Sequence, residues 1–473
     1  MIAQEETKKP KIWQAGTLTY TTAGIATLFL WLLWGDFAWG LKERSVGYVA
    51  GLMVKSFGIS DFTYTILMVS FPCFTNIFLM PIISYRSDRY RSRWGRRIPF
   101  LARITPFVVI GLVGLGFTPM LGKWLAGETG FSVHLASLLV FGFFWIILDF
   151  GTTLTNAIFV ALANDVVPTA LLGRFLAMFR AISLICAMVF NAGLLGYAET
   201  HSMPIFVFLG IFYFVGLYSI CLKVREGNYP APPDETASGK PKNFSGAIRT
   251  YFRECYSLPY YRWVIAAQVC CSLSVLPLNT FVIFYVKSLG LNMGTFGKIT
   301  ACIFLVAVLL SFGLGFLSDK FHPIRMGIAS MSLLLVVQVT AWLSIHNITT
   351  FIIFFALHEQ VIMAFNTLMA SYTQRLFPRP LYAQFNSALQ MTMAVASVML
   401  APMVGTILDL LNHQYVYVFI INAVIGSFGL FSLFRVFRYY LKYGGDSAYR
   451  APMPATDVPE PPIGNAAAEG VAE

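Results

Sequence analysis

The sequence predicts an all-α membrane protein with twelve transmembrane helices arranged as two six-helix repeats. Three observations predict it: an apolar composition, twelve segments long enough to cross a bilayer, and short strings that recur in order in both halves. Of the 473 residues, 57% are hydrophobic and 12% charged, against about 25% charged in soluble domains. Mean hydropathy is +0.69. A bilayer crossing needs about 20 apolar residues. Segments of that kind fall at 25–57, 61–84, 99–120, 135–161, 174–197 and 203–222. Six more fall at 262–288, 294–317, 324–345, 349–374, 384–410 and 415–435.

The first span is the hardest to justify, because GDFAWGLKERSVG (35–47) puts Asp36, Lys42, Glu43 and Arg44 where a membrane helix should carry no charge. A loop at this point would leave 48–57 too short to span. The stretch is therefore expected to be the middle of one long helix facing a cavity. After the sixth span, KVREGNYPAPPDETASGKPKNFSG (223–246) is rich in Pro and charge and reads as a linker. The expected division is a six-helix half at 1–222, a linker at 223–261, a second half at 262–443 and a disordered tail at 444–473.

The halves repeat. VKSFGI (54–59) recurs as VKSLGL (286–291), YRSDR (85–89) as FLSDK (316–320), and DVVPTALLGRF (165–175) as RLFPRPLYAQF (375–385). Used as a ruler, the repeat carries Asp149 onto Glu359, Asn156 onto Asn366 and Asp36 onto Gln268. Polar side chains in membrane helices are costly and tend to face an interior, so this symmetric set is expected to line a cavity. Lys42, Glu43 and Arg44 map onto Ser274, Val275 and Leu276, an asymmetric addition to one half.

The net charge of +11 raises the question of nucleic acid, but 27 of the 33 Lys and Arg fall in the termini or in loops facing one side. That positive-inside asymmetry predicts both termini in the cytoplasm and a plasma (inner) membrane protein, with the bilayer and no nucleic acid as partner. Residues 1–16 carry charges without the short apolar core of a signal peptide, so none is expected. The seven cysteines show no CxxC or Cys/His spacing. They are expected to pack as small apolar residues, with no disulfide and no metal.

A parallel six-plus-six repeat is the architecture of the major facilitator superfamily, in which substrate binds between the halves. Within it, SDRYRSRWGRRIPF (87–100) resembles the signature of the glycoside–pentoside–hexuronide cation symporters and the related sucrose–proton symporters. GDFAWG and WIILDFGTTLTNAIFVALANDVVP (145–168) are similar to the sucrose branch. The resemblance implies a gating motif at Asp88, Arg89, Arg93, Gly95, Arg96 and Arg97, echoed at Asp319 and Lys320. The sequence also departs from that family. Asn76 and Met80 stand where melibiose-type members bind sodium through acids, and Val160 stands where the sucrose symporters carry an arginine.

At 3.6 residues per turn, Asp36 and Glu43 share a helix face, with Arg44 about 80° round from Asp36. Asp149, Thr153 and Asn156 make a second stripe, and His358, Glu359 and Asn366 a third. Trp39 and Trp145 lie one turn from acids and could stack on a sugar ring. Proton coupling and substrate binding are expected from Asp36, Glu43, Arg44, Asp149, Asn156, Gln268, Glu359 and Asn366. His358 is expected to be a structural hydrogen-bonder, and Arg180 and Gln390 to make gate or lipid contacts. The expected function is proton-coupled import of a sugar or glycoside by a monomer, with no cofactor beyond the coupling proton. The rivals are transport of a lysolipid or nucleoside, and a sugar sensor that does not transport. The chain has no GxxxxGK[ST] loop and no trustworthy catalytic set, so neither ATP hydrolysis nor an enzyme is expected.

Overall fold

The computed structural model describes residues 12–228, 253–378 and 381–453. Twelve helices among them are long and apolar enough to cross a membrane. In the first half these are α1 (Thr22–Lys55), α2 (Asp61–Thr65 running through a π turn at Ile66–Ser70 into Phe71–Arg89), α3 (Ile98–Thr129), α4 (Val133–Val166), α5 (Thr169–Val189 continuing into a π turn at Phe190–Leu194) and α6 (Ser202–Lys223). In the second half they are α7 (Pro259–Leu273 and Leu276–Ser288), α8 (Met293–Lys320), α9 (Pro323–Ser344), α10 (Ile348–Leu368), α11 (Tyr382–Leu410) and α12 (Tyr417–Lys442). A two-stranded hairpin, Trp13–Ala15 with Leu18–Tyr20, precedes α1 and is the one departure from all-α structure among the described residues.

The halves are built to one plan. Within the first, α1 packs on α5 and α6, α2 on α4, and α3 on α4 and α6; the same five pairs recur in the second half with six added to each number. Local structure repeats as well. Gly58 and Gly290 end the repeated VKS strings with the same left-handed φ of 73°. Each receives the turn that glycine alone adopts without strain, and Gly58 N–H and Gly290 N–H donate to Lys55 O and Lys287 O at 3.1 and 3.0 Å. The repeated Pro168 and Pro378 accept from Leu171 and Leu381 at 2.9 and 3.0 Å. Between the halves, α2 packs on α11 and α5 on α8, the exchange expected of two repeats related by a pseudo-twofold axis.

α1 runs unbroken through GDFAWGLKERSVG, as the sequence predicts. Its repeat mate α7 does not: it breaks at Ser274–Val275, the positions equivalent to Lys42 and Glu43. Pro277, at the second position of the resumed helix, has no N–H to continue the ladder. At the break, Ser274 O accepts from Gln338 Nε2 of α9 at 3.3 Å.

The expected tail needs correction at its start. Past Gly444 the chain forms a short helix, α13 (Gly445–Ala448), and docks on the second half. The Tyr449 hydroxyl donates to Leu376 O at 2.8 Å and lies 2.9 Å from the Tyr260 hydroxyl. The Tyr261 hydroxyl donates to Pro452 O at 2.7 Å. Buried tyrosines at the start of α7 thus find their hydroxyl partners in this segment. Most of the expected linker and residues 454–473 lie outside the described residues.

Candidate functional site between the halves

The two halves are joined at the end away from the chain termini, called here the far end. There the Gly196 and Gly294 backbones meet so closely that a Cβ on Gly196 would lie 2.9 Å from Gly294 Cα. A Cβ on Gly297 would lie 1.9 Å from Asn191 O. Across the α2–α11 seam Asp409 accepts from Asp61 N–H at 2.7 Å and Phe62 N–H at 2.9 Å. Beside it the Tyr64 hydroxyl reaches Thr280 O at 3.5 Å.

On the terminal side of this closure lies a cavity of about 290 Å³ between the halves. Its first-half wall includes Glu43, Arg44, Tyr48 and Asn191, and its second-half wall Asn279 and Thr280. Met68 and Asn191 belong to the two π turns, which re-aim side chains and commonly mark functional sites. A second cavity of about 210 Å³ shares Glu43, Gly47 and Met68 with the first and adds Lys42, Trp145, Asp149 and Thr152.

The polar groups in this region are paired in a defined way. Lys42, 2% exposed, donates to Glu43 Oε2 at 2.7 Å and to Thr152 Oγ1 at 3.4 Å, so its ammonium sits one helical turn from Asp149. Asp149 Oδ2 accepts the Thr75 hydroxyl at 2.5 Å. Arg44 Nη2 donates to Ser183 Oγ at 2.9 Å and to no carboxylate among the described residues. Trp145 donates its indole N–H to Leu67 O at 2.9 Å, within the α2 π turn, and stacks on Phe141 at 5.7 Å. Its ring is therefore fixed at the cavity wall.

Glu43, Arg44, Asp149 and Trp145 are thus brought together. Other expected residues lie elsewhere. Asp36, 1% exposed, sits on the α1 face that packs against α5 and α6. Gly35 there abuts Ile220, Ala38 abuts Gly216 and Gly40 abuts Cys186, and neither Asp36 oxygen has a hydrogen-bond donor among the described residues. Trp39 holds the Lys42 ammonium 5.8 Å from its ring centre without lining either cavity. Asn156 and Asn366 line neither cavity, and Gln268 donates to Ser272 Oγ at 3.4 Å within α7. Glu359 is buried beside His358, whose Nδ1 lies 3.3 Å from Glu359 Oε1 and whose Nε2 lies 3.4 Å from Gln338 Nε2. That packing suits the structural role expected of His358. The exposed side chains of Arg180 and Gln390 also line neither cavity.

The loop motif expected to act in gating is anchored by Asp165 of the first half and by Glu226, just past α6. Arg96 meets Asp165 through Nη2 at 2.6 Å and Nε at 3.1 Å, and Arg97 Nε adds a third bond at 3.1 Å. Arg97 also donates to Ser87 Oγ. Glu226 accepts the backbone N–H groups of Arg96, Arg97 and Ile98 at 2.9, 2.8 and 2.6 Å. Gly95 adopts φ 102°, and a Cβ there would lie 2.4 Å from Glu226, so the motif's glycine is required twice over. Arg93 stacks on Trp94, and Lys320 lies 5.7 Å from the centre of the Phe321 ring. Arg89 is partly buried at the end of α2. The side chains of Asp88 and Asp319 lie outside the described residues. At this end of the second half, His322 caps α9 through Nδ1, which accepts Ile324 N–H at 3.3 Å. Burial pushes its pKa down to about 4.

Tyr48, Asn191, Asn279, Thr280, Thr75 and Thr152 were not singled out from the sequence. The repeat contained the signal for three of them. Gly47 and Tyr48 map onto Asn279 and Thr280 at the same offset that pairs VKSFGI with VKSLGL, and all four line the cavity.

Residues 262–451 match the family model for the Major Facilitator Superfamily. Solved structures of similar shape cover nearly the whole chain. A bacterial homologue of the human lysosomal transporter Spinster, in an inward-facing conformation, is 16% identical over 88% of this chain and 97% of its own, with TM-score 0.63. The nucleoside transporter NupG is 11% identical over 87% and 100%, with TM-score 0.62. A D-xylose–proton symporter is 12% identical over 89% and 99%, with TM-score 0.60. At such identities the likeness is one of fold. With the family match in its second half, it gives this twelve-helix chain the major facilitator fold.

Proposed function

We propose that the protein is a secondary active transporter that imports a sugar or glycoside together with protons, by alternating access of its two halves. One observation carries this reading: repeat-equivalent positions of α1 and α7 face each other across a polar cavity that is sealed at the far end. Such a cavity can pass from one side to the other when the halves rock about it. Its lining of one carboxylate, one guanidinium, two amides and hydroxyls suits a solute rich in hydroxyl groups, which both donates and accepts. Trp145 offers an apolar ring wall beside it.

Coupling is assigned to Asp149, with Glu43 and Lys42 as its charged neighbours. A proton arriving at Asp149 would take the two carboxylates and one ammonium of the second cavity from a net charge of −1 to neutrality and leave Lys42 paired with Glu43 alone. The charge asymmetry of the loops supports both termini in the cytoplasm of a plasma membrane protein, and a monomer is proposed as the working unit. A nucleoside is the second reading, favoured by Tyr48, which stacks on Phe190 at 5.8 Å and lines the cavity.

Counterflow into proteoliposomes with labelled sugars, nucleosides and lysolipids tests the substrate. Exchange of a sugar is expected, and exchange of none would refute that class. Asp149→Asn should abolish accumulation driven by a pH gradient while leaving counterflow measurable. Accumulation equal to the parent's would remove Asp149 from coupling, and uptake driven by sodium alone would refute the proton.

A further inference from the structure

The far-end closure is built around a buried acid that the central site does not use. Asp61, the first residue of α2, is 0% exposed. Its Oδ1 accepts Lys55 Nζ at 2.5 Å and the Tyr415 hydroxyl at 3.4 Å, and its Oδ2 pairs with His413 Nδ1 at 2.6 Å. Lys55 and Asp61 come from the first half, and Asp409, His413 and Tyr415 from the second. Asp409 caps the first turn of α2 through two backbone N–H groups and lies 3.7 Å from His413 Nδ1. Tyr64 is on the same seam. Lys287 lines a small cavity with Lys55 and Tyr415, and its charge is held 2.9 Å from Glu199.

The backbone singles out the same place. Among the described residues, the non-glycine positions with positive φ are Asn412 at 52° and His413 at 58°. Asn412 has the ordinary reason of an asparagine closing a helix. His413 also donates its N–H to Leu408 O at 2.9 Å to close α11, yet a left-handed conformation costs it about 1 to 2 kcal/mol. Strain of this kind persists where surrounding contacts over-determine it, and here the contacts are that backbone bond and the ring's bond to Asp61. The charge count decides what that bond responds to. With His413 neutral, two carboxylates on opposite halves face the one ammonium of Lys55. With His413 protonated, two positive charges face two negative ones.

We infer that His413 is a proton-responsive positioning residue of the transport cycle, whose protonation ties the second half to Asp61 and holds the far end shut. The inference rests on the alternating-access reading. Protonation strengthens the closed state, so closure is favoured at low far-side pH and weakens as that pH rises. A proton-rich far side then does two things: it drives uptake and promotes closure behind the solute.

Thr280→Cys places a thiol in the cavity under the closure. In proteoliposomes, a membrane-impermeant maleimide is applied from the far side at pH 5.5 and pH 8, with modification at residue 280 read by mass spectrometry. Rates are normalised to an exposed Glu128→Cys reference, which removes the reagent's own pH dependence. The parent should label about three- to tenfold faster at pH 8. His413→Gln should lose that ratio and label fast at both values, and His413→Lys should label slowly at both. A ratio in His413→Gln equal to the parent's overturns the assignment of His413. The absence of far-side labelling at every pH overturns it together with the alternating-access reading.

Discussion

Replacing Glu226 by alanine tests whether the gating motif is held as the structure describes. α3 begins at Ile98 without a side-chain cap from its own N-cap residue, Arg97. The carboxylate of Glu226, 128 residues away in sequence, serves instead and accepts three backbone N–H groups. Loss of an ordinary N-cap costs about 1 kcal/mol and up to about 2, and bonds to a charged acceptor lie at the upper end. Water replaces part of the loss at this half-buried site, so about 2 kcal/mol is the reasonable figure for the local opening. At 1.36 kcal/mol per decade, amides of a peptide spanning 92–100 should exchange about thirtyfold faster in Glu226→Ala. Glu226→Gln keeps an acceptor and loses the charge, so about fivefold is expected. Hydrogen–deuterium exchange mass spectrometry of the purified protein reads both, with a peptide from α12 as the unchanged control. Exchange of the 92–100 peptide within about twofold of the parent in Glu226→Ala would refute the capping argument.

Gly297→Ala should prevent the α5–α8 seam from closing, because its Cβ would fall 1.9 Å from the Asn191 carbonyl. The protein should purify intact yet lose counterflow, and parent-like exchange would show that the seam adapts. His322 caps α9 at the terminal end of the second half. Burial lowers its affinity for the proton to a pKa of about 4, and the neutral ring is the form that caps α9. Its stabilising contribution is therefore present above the unfolded value of about 6.5 and is lost as pH falls toward 4. After solvent screening at this half-buried site, about 1 kcal/mol is expected. His322→Asn caps without titrating, so thermal melts between pH 7 and pH 4 should show a smaller loss of Tm than the parent. An identical loss would remove His322 from the acid response.

The architecture was legible because hydropathy and repetition act over long stretches, and errors at single residues do not matter to them. The recurrence of VKSFGI as VKSLGL marks two turns that share a φ angle. The site was less legible. Helical spacing says that Asp36 and Glu43 share a face, but not which neighbour that face meets. Small residues carried the missing information: Gly35, Ala38 and Gly40 surround Asp36 and allow close approach of α5 and α6, which turns Asp36 into a helix seam. Gln268 bonds within α7, while Glu359, buried beside His358, lies near enough to act on Tyr48 of the cavity wall without lining either cavity, because symmetry of sequence position does not require symmetry of rotation about the helix axis. The outer histidine was invisible for another reason. Asp61, Asp409 and His413 are 352 residues apart at the extremes, and nothing in their local strings ties them together.

The break in α7 opposite the continuous α1 gives the two halves different mechanics. α1 is a strut that brings side chains to the cavities, so under the proposed function substitution at Lys42, Glu43 or Arg44 should retune affinity without altering the scaffold. α7 carries a joint at Ser274–Val275, where a buried main-chain carbonyl, which no substitution can delete, is held by Gln338 of α9. On the proposed function, change in ligand preference over evolution should therefore accumulate in the first half, while flexing during the cycle should concentrate in the second.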